Sequence, residues 1–204
     1  MNDPDRTEFS AALLAGGAST RMGVDKATLL FEGEPLWRRQ LATLRGTGPG
    51  ELLVSCRPPG HPFETEGGIL CVYDGMGGMG PLGGMAALMR RARFEFLLVL
   101  AIDLPRVNAR FLQSLIRQAI GSGRGVVPRE ERWFQPLAAV YPRAALPLAD
   151  AHLCGEDRSM QHFVRRALEL GLVAEYRIEE AESDLFRNVN TPADLQITRE
   201  NTRR

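Results

Sequence analysis

The sequence predicts an α/β fold in three layers, with a mostly parallel sheet and helices on both faces. Short apolar runs bounded by glycine or proline alternate along the chain with segments whose apolar residues recur at helical spacing. The run FEFLLVLA at residues 94–101 is almost wholly apolar, as expected of a central strand covered on both faces.

The chain has 204 residues, enough for one domain with a full core. We expect a single domain over residues 1–204, with polar tails at about 1–8 and 198–204. Lys plus Arg and Asp plus Glu both number 25. The chain therefore lacks the basic excess that is typical of proteins that bind nucleic acid. The polar N-terminus and the lack of a long apolar run favour a cytoplasmic protein that does not bind membranes.

The first predicted strand covers residues 11–15, where an apolar run ends at glycine. Pro35 suits the first turn of a helix that runs to Arg45, because its missing N–H is not needed there. Asn108 is a suitable cap for a further helix, which is expected to end at Gly121, because its side chain can accept a hydrogen bond from a free backbone N–H group. The other predicted elements are strands at residues 51–56, 69–73, 125–128 and 137–141, and helices that begin at about Pro81, Pro142, Ser159 and Thr191.

The chain is organised around the stretch AALLAGGASTRMGVDK at residues 11–26. Gly16 and Gly17 allow backbone N–H groups to approach a phosphate, and Arg21 and Lys26 add positive charge within a few residues. The spacing matches neither the mononucleotide P-loop nor the dinucleotide-binding fingerprint, so both are set aside.

Three further stretches are candidate parts of a site. DGMGGMGPLGG at residues 74–84 is too rich in glycine for helix or strand and predicts a binding loop. Asp103 follows the central strand, at the end of the sheet where ligands bind. Near the C-terminus a capping turn explains Thr191 but not the pair Asn188 and Asn190.

These motifs resemble those of molybdenum cofactor guanylyltransferases, which are nucleotidyltransferases with a Rossmann-like, glycosyltransferase A-like fold. That family shows L-A-G-G-x-x-x-R-M-G-x-D-K, an aspartate ahead of G-P-L-x-G, D-x-P after the central strand, and N-V-N-T-P. This chain matches all four, at residues 14–26, 74–84, 103–105 and 188–192. One departure is Ser55–Cys56–Arg57, where the family often places an asparagine.

The resemblance implies transfer of GMP from Mg-GTP to a molybdopterin-type acceptor, with molybdoenzymes or cofactor-carrier proteins as protein partners. It also implies a role for each matched residue: nucleotide binding by Leu14, Ala15, Gly16, Gly17, Lys26, Asp74, Gly80, Pro81, Leu82 and Asp103, catalysis by Arg21, Lys26 and Asp103, Mg²⁺ binding by Asp103, and acceptor binding by Asn188 and Asn190. Three alternatives stay open, which are transfer of CMP to the same acceptor, action on a sugar or polyol phosphate, and nucleotide binding without turnover.

Overall fold

The structure is a computed structural model that describes residues 8–15, 27, 29–56, 63, 66–73, 79–155 and 157–188. The strands in these ranges are β1 (Ser10–Leu14), β2 (Leu30–Phe31), β3 (Glu34–Pro35), β4 (Glu51–Cys56), β5 (Leu70–Tyr73), β6 (Phe96–Ala101), β7 (Gly125–Glu130), β8 (Trp133–Phe134), β9 (Ala138–Pro142) and β10 (Val173–Arg177).

The α-helices of the described ranges are α1 (Leu36–Arg45), α2 (Gly80–Arg91), α3 (Ala109–Ser122), α4 (Leu146–Cys154) and α5 (Met160–Glu169). Within the same ranges, 3₁₀ helices cover Arg143–Ala145 and Glu180–Phe186. None of the helices in this part of the chain has the length and apolar character that a membrane span requires.

The main sheet has the strand order β10-β7-β9-β6-β1-β4-β5, with β8 paired to β7. β1 is parallel to both of its neighbours, β4 and β6, whereas β9 is antiparallel to β6 and β7. Because β9 is antiparallel to both of these neighbours, β7 runs in the same direction as β1, and β10 is parallel to β7. The sheet is therefore mostly parallel. One side of it, which we call the carboxyl edge, holds the C-terminal ends of β1, β4, β5, β6, β7 and β10.

Helices cover both faces of the sheet, as the sequence predicts. In β1, Ala11 and Leu13 belong to the core cluster under α1 and α3, whereas Ala12 and Leu14 belong to the cluster under α2, α4 and α5. This alternation is the two-residue period of a strand, and every residue of β1 is buried. The three-layer α/β prediction is confirmed.

Most predicted elements are confirmed to within two residues, and the departures have local causes. The helix predicted from about Pro142 begins one residue later, because β9 extends through Pro142. Its first turn is the 3₁₀ helix Arg143–Ala145, which leads into α4 at Leu146. Gly121 does not end α3. The helix continues to Ser122, and Gly123 caps it with a φ of 68°, a left-handed conformation that glycine adopts without strain. The final helix predicted after residue 191 lies outside the described residues.

Candidate active site

The strand order changes direction between β1 and β6. The chain passes from β1 to β4 and β5 on one side, and α2 then returns it to β6 on the other side of β1. At such a switch point the two outgoing loops diverge and open a crevice at the carboxyl edge, where ligands bind in open α/β sheets. Leu14 and Ala101, the last residues of β1 and β6, are direct partners across this point. The candidate site therefore lies where the loops after these two strands begin.

Asp103 lies two residues after β6, in a turn that is joined to the end of β1. The Ile102 N–H donates to the Leu14 carbonyl at 3.2 Å, and the Val107 N–H donates to the Leu104 carbonyl, also at 3.2 Å. Asp103 is partly exposed. These hydrogen bonds thus hold the turn that bears Asp103 next to the end of β1.

The last residues of β1 can offer a ligand only their backbone. The side chains of Leu14 and Ala15 are 6% and 7% exposed. The Ala15 N–H already donates to the Ser55 carbonyl at 3.2 Å, within the continuation of the sheet. The phosphate-binding N–H groups that we expect of this loop must therefore belong to residues after Ala15.

The N-terminal half of α2 packs directly on the end of β1. A Cβ at Gly84 would lie 2.8 Å from Leu14 Cδ2, so packing alone accounts for the last glycine of the G-P-L-x-G motif. Leu82 is fully buried in the core, whereas Gly80 and Pro81 are exposed at the start of the helix. Gly80 and Pro81 are thus the most exposed residues of this motif.

Asn188 is exposed and follows an aromatic anchor. Phe186 packs edge-on against Phe111 in the first turn of α3, with the ring centroids 5.4 Å apart. Tyr176 contacts the same Phe111 ring at 5.6 Å, and its hydroxyl donates to Glu182 Oε1 at 2.9 Å. The pKa of Tyr176 is raised to about 12, mainly by burial and secondly by that hydrogen bond. These contacts place Asn188 beside the start of α3, at the carboxyl edge.

The structure describes about half of the residues that the sequence analysis assigns to the site. Those that lie outside the described residues are Gly16, Gly17, Arg21, Lys26, Asp74 and Asn190. The others come from four segments that meet the carboxyl edge: Leu14 at the end of β1 with Ala15 directly after it, Gly80, Pro81 and Leu82 from α2, Asp103 from the turn after β6, and Asn188 from the C-terminal segment.

Asp103 fits a magnesium site that the substrate helps to complete. Mg²⁺ is usually held by one or two carboxylates together with phosphate oxygens and water. Within the described ranges, no group of three or more His, Cys, Asp or Glu side chains is placed to hold a metal ion. Among the described site residues, Asp103 is the carboxylate that could hold such an ion together with phosphate oxygens.

Two clefts in the described structure are not lined by Asp103. One has a volume of about 300 Å³ and lies between α1 and the segment that follows Pro105. The other, about 840 Å³, is an open groove between α4 and α5 that includes His152 and His162. Neither is lined by Asp103 or by the end of β1, so neither is the candidate site.

Two buried polar side chains near the site have no role in the sequence analysis. Gln40 and Ser55 are both fully buried, and Gln40 Oε1 and Ser55 Oγ have no hydrogen-bond partner among the described residues. Ser55 lies beneath α2, where a Cβ on Gly84 would be 3.0 Å from its hydroxyl oxygen. Gln40 comes four residues after Leu36 and four before Leu44, on the buried stripe of α1. A polar residue on that stripe was the signal that could have identified it.

The fold and the site together define a class of enzyme. A glycine-rich loop after the first strand, an aspartate after the central strand and the strand order β5-β4-β1-β6 around the crevice are features of α/β folds that bind nucleotides. The family model of the MobA-like NTP transferase domain matches residues 11–171, and the chain belongs to this family.

Curated relatives extend the match to most of the chain. A probable molybdenum cofactor guanylyltransferase from Opitutus terrae is 36% identical over 189 residues, which cover 91% of this chain and 92% of the relative. A molybdenum cofactor guanylyltransferase from Pseudomonas putida KT2440 is 31% identical and covers 92% of this chain and 95% of its own length.

Solved structures show the same fold. Molybdopterin-guanine dinucleotide biosynthesis protein A from Archaeoglobus fulgidus superposes with a TM-score of 0.78 at 25% identity, over 95% of this chain and 98% of its own. The 2-C-methyl-D-erythritol 4-phosphate cytidylyltransferase from Thermus thermophilus has a TM-score of 0.67 at 19% identity, over 95% of this chain and 98% of its own. The chain is therefore a nucleotidyltransferase whose relatives act in molybdenum cofactor biosynthesis.

Proposed function

We propose that this enzyme transfers GMP from Mg-GTP to the terminal phosphate of molybdenum-bound molybdopterin and releases pyrophosphate. The observation that best supports this proposal is the pairing of Leu14 with Ala101, because it joins the start of the glycine-rich loop to the turn that bears Asp103. The names of the relatives support the choice of guanine nucleotide and of acceptor.

The reaction brings two anions together, so the site has to offset their repulsion. An oxygen of the acceptor phosphate attacks the α-phosphorus of GTP. The bond from that phosphorus to the bridging oxygen breaks, and its electron pair leaves with pyrophosphate. In this proposal the N–H groups of Gly16 and Gly17, together with Arg21 and Lys26, neutralise the phosphates. A phosphate acceptor is already ionised at neutral pH, so no general base is required.

Asp103 is the proposed Mg²⁺ ligand. When bound, the ion supplies positive charge to the phosphate oxygens and helps to orient them. The proposed contacts to the rest of the nucleotide come from Asp74 and from the backbone at Leu14, Ala15, Gly80, Pro81 and Leu82. Asn188 and Asn190 are proposed to bind the pterin-bearing acceptor, because paired amides both donate and accept hydrogen bonds.

We infer that residues 1–204 form one catalytic domain and that the enzyme works in the cytoplasm, where GTP is available. Its product would pass to molybdoenzymes or to proteins that carry the cofactor.

The test compares GTP, CTP and ATP as donors to purified molybdenum-bound molybdopterin, with released pyrophosphate as the measurement. Wild-type enzyme and Asp103→Ala are assayed side by side, and unfolding curves verify that both are folded. Loss of the metal ligand should reduce pyrophosphate release at least about 100-fold. Asp150→Ala is the matched control, because Asp150 is an exposed partner of Arg90 between α4 and α2.

Each outcome separates the candidates. Release with GTP alone supports the proposal, and release with CTP alone would assign the cytidylyl reaction. Release with a sugar or polyol phosphate in place of the pterin acceptor would assign that class of substrate. A folded wild-type protein that binds nucleotide but releases no pyrophosphate would be a regulatory module, and a fully active Asp103→Ala variant would exclude Asp103 from the metal role.

A further inference from the structure

We propose that Gln40 is a positioning residue that fixes the turn bearing Asp103. Its Nε2 group donates to the Ala101 carbonyl at 2.8 Å and to the Leu104 carbonyl at 3.0 Å. These two carbonyls stand on either side of Ile102 and Asp103 in the sequence. One amide on α1 therefore spans the turn, and we call this arrangement the Gln40 clamp.

The burial of Gln40 indicates that its two hydrogen bonds to the turn explain why this position holds glutamine. Gln40 is fully buried, and its Oε1 atom has no hydrogen-bond partner among the described residues. A buried amide with an unpaired oxygen is unfavourable compared with an apolar side chain of similar size. Packing alone would therefore favour leucine or methionine at this position. What glutamine adds is the pair of hydrogen bonds that it donates to the turn.

The neighbouring residue on α1 extends the same support. Arg39 Nε donates to the Pro105 carbonyl at 2.8 Å. The guanidinium of Arg39 is itself fixed, because it lies 4.7 Å from the centroid of the Phe31 ring and 3.0 Å from Glu32 Oε2. Consecutive residues of one helix thus hold both ends of the turn.

This support matters because a carboxylate that holds a metal must be placed accurately before the substrate binds. Rotation of the turn after β6 would move Asp103 relative to the glycine-rich loop, and small displacements of reacting groups reduce rates strongly. The inference rests on the proposed function, in which Asp103 is the metal ligand. The clamp itself is independent of that function and can be tested without nucleotide.

The first measurement is amide hydrogen exchange in the full-length chain without nucleotide. Gln40→Met keeps the volume and apolar packing but removes both donors. We expect exchange of the Ile102 and Val107 amides to become at least about 10-fold faster, because their protection reports local opening of the turn. Gln113→Met is the matched control, since Gln113 Nε2 donates to the Gly46 carbonyl at 3.0 Å, between α3 and the end of α1. The control should leave the exchange of these two amides unchanged.

The second measurement is the steady-state rate of pyrophosphate release as Mg²⁺ is varied. If the turn is displaced, Gln40→Met should lower kcat by about 10-fold or more and shift half-saturation to higher Mg²⁺, with the KM for nucleotide nearly unchanged. A residue that only stabilised the fold would instead lower the fraction of active enzyme and leave the Mg²⁺ dependence as it was. If Gln40→Met does not fold, Gln40→Asn replaces it, because the shorter side chain keeps the amide but cannot reach both carbonyls.

Unchanged exchange at Ile102 and Val107 in a folded variant would overturn the Gln40 clamp. Faster exchange with unchanged kcat and Mg²⁺ dependence would overturn its positioning role. Both results are distinct from failure of the proposed function, which would be seen as a wild-type enzyme that releases no pyrophosphate with any nucleotide.

Discussion

Substitution of Gly84 by alanine tests how closely α2 approaches the site. A Cβ at this position would lie 2.8 Å from Leu14 Cδ2 and 3.0 Å from Ser55 Oγ. Packed carbon atoms lie about 3.5–4.0 Å apart, so α2 or Leu14 would have to move by about 1 Å. Overpacking of this kind costs about 1–3 kcal/mol, and the higher helix propensity of alanine returns about 1 kcal/mol. We therefore expect Gly84→Ala to lower the free energy of unfolding by up to about 2 kcal/mol.

Urea unfolding of Gly84→Ala and Gly121→Ala gives the comparison that is needed. Gly121 is also helical, but a Cβ there would meet nothing within 4 Å, so its substitution should stabilise the protein by up to about 1 kcal/mol. Combining Gly84→Ala with Leu14→Ala should cost less than the sum of the two, by at least about 0.5 kcal/mol, because the clash is removed. If Gly84→Ala were as stable as Gly121→Ala, the close approach of α2 to β1 would be refuted.

Three other predictions concern single side chains. Ser55→Ala should leave the free energy of unfolding within about 1 kcal/mol of wild type or raise it, because the described residues offer the hydroxyl no partner; a larger loss in urea unfolding would contradict this. The Tyr176 pKa is raised from 10.0 to about 12, so the folded state binds this proton more tightly; the resulting stability is complete below pH 10 and is lost as the pH rises through 12. Tyr176→Phe should remove the step near pH 12 from an ultraviolet absorbance titration, and a step that persisted would assign it to another tyrosine. Asn190→Ala should weaken binding of the pterin acceptor in calorimetric titrations and leave GTP binding unchanged, and an unchanged acceptor affinity would remove Asn190 from that role.

The central strands could be predicted from the sequence, whereas the edge strand β10 could not. The apolar run at residues 94–101 predicts β6, which occupies Phe96–Ala101, because a strand buried on both faces leaves a continuous apolar run. β10 was missed. Its sequence, VAEYR, alternates with charged residues, and only its pairing with β7, distant in sequence, makes it a strand. The β2–β3 hairpin was also missed, because each of its strands has only two residues.

The site could be predicted as a set of motifs, but the contacts that support it could not. The position of Asp103 at the carboxyl edge could be predicted, because this edge is where the loops after parallel strands lie. Gly84 belongs to a motif that predicts ligand binding, but its contact with Leu14 is a packing constraint between distant segments. The role of Gln40 depends on which carbonyls lie opposite α1, and that information exists only in the folded chain.

The central position of β1 has a consequence for biosynthesis. Ser10, near the start of the chain, pairs with Glu51 on one side and with Leu97 on the other. While the ribosome is still making the first half of the protein, one edge of this apolar strand has no partner, and unpaired strand edges promote aggregation. Truncated products that end before β6 should therefore collect in inclusion bodies, whereas nascent chains that have released residues 96–101 can close the middle of the sheet.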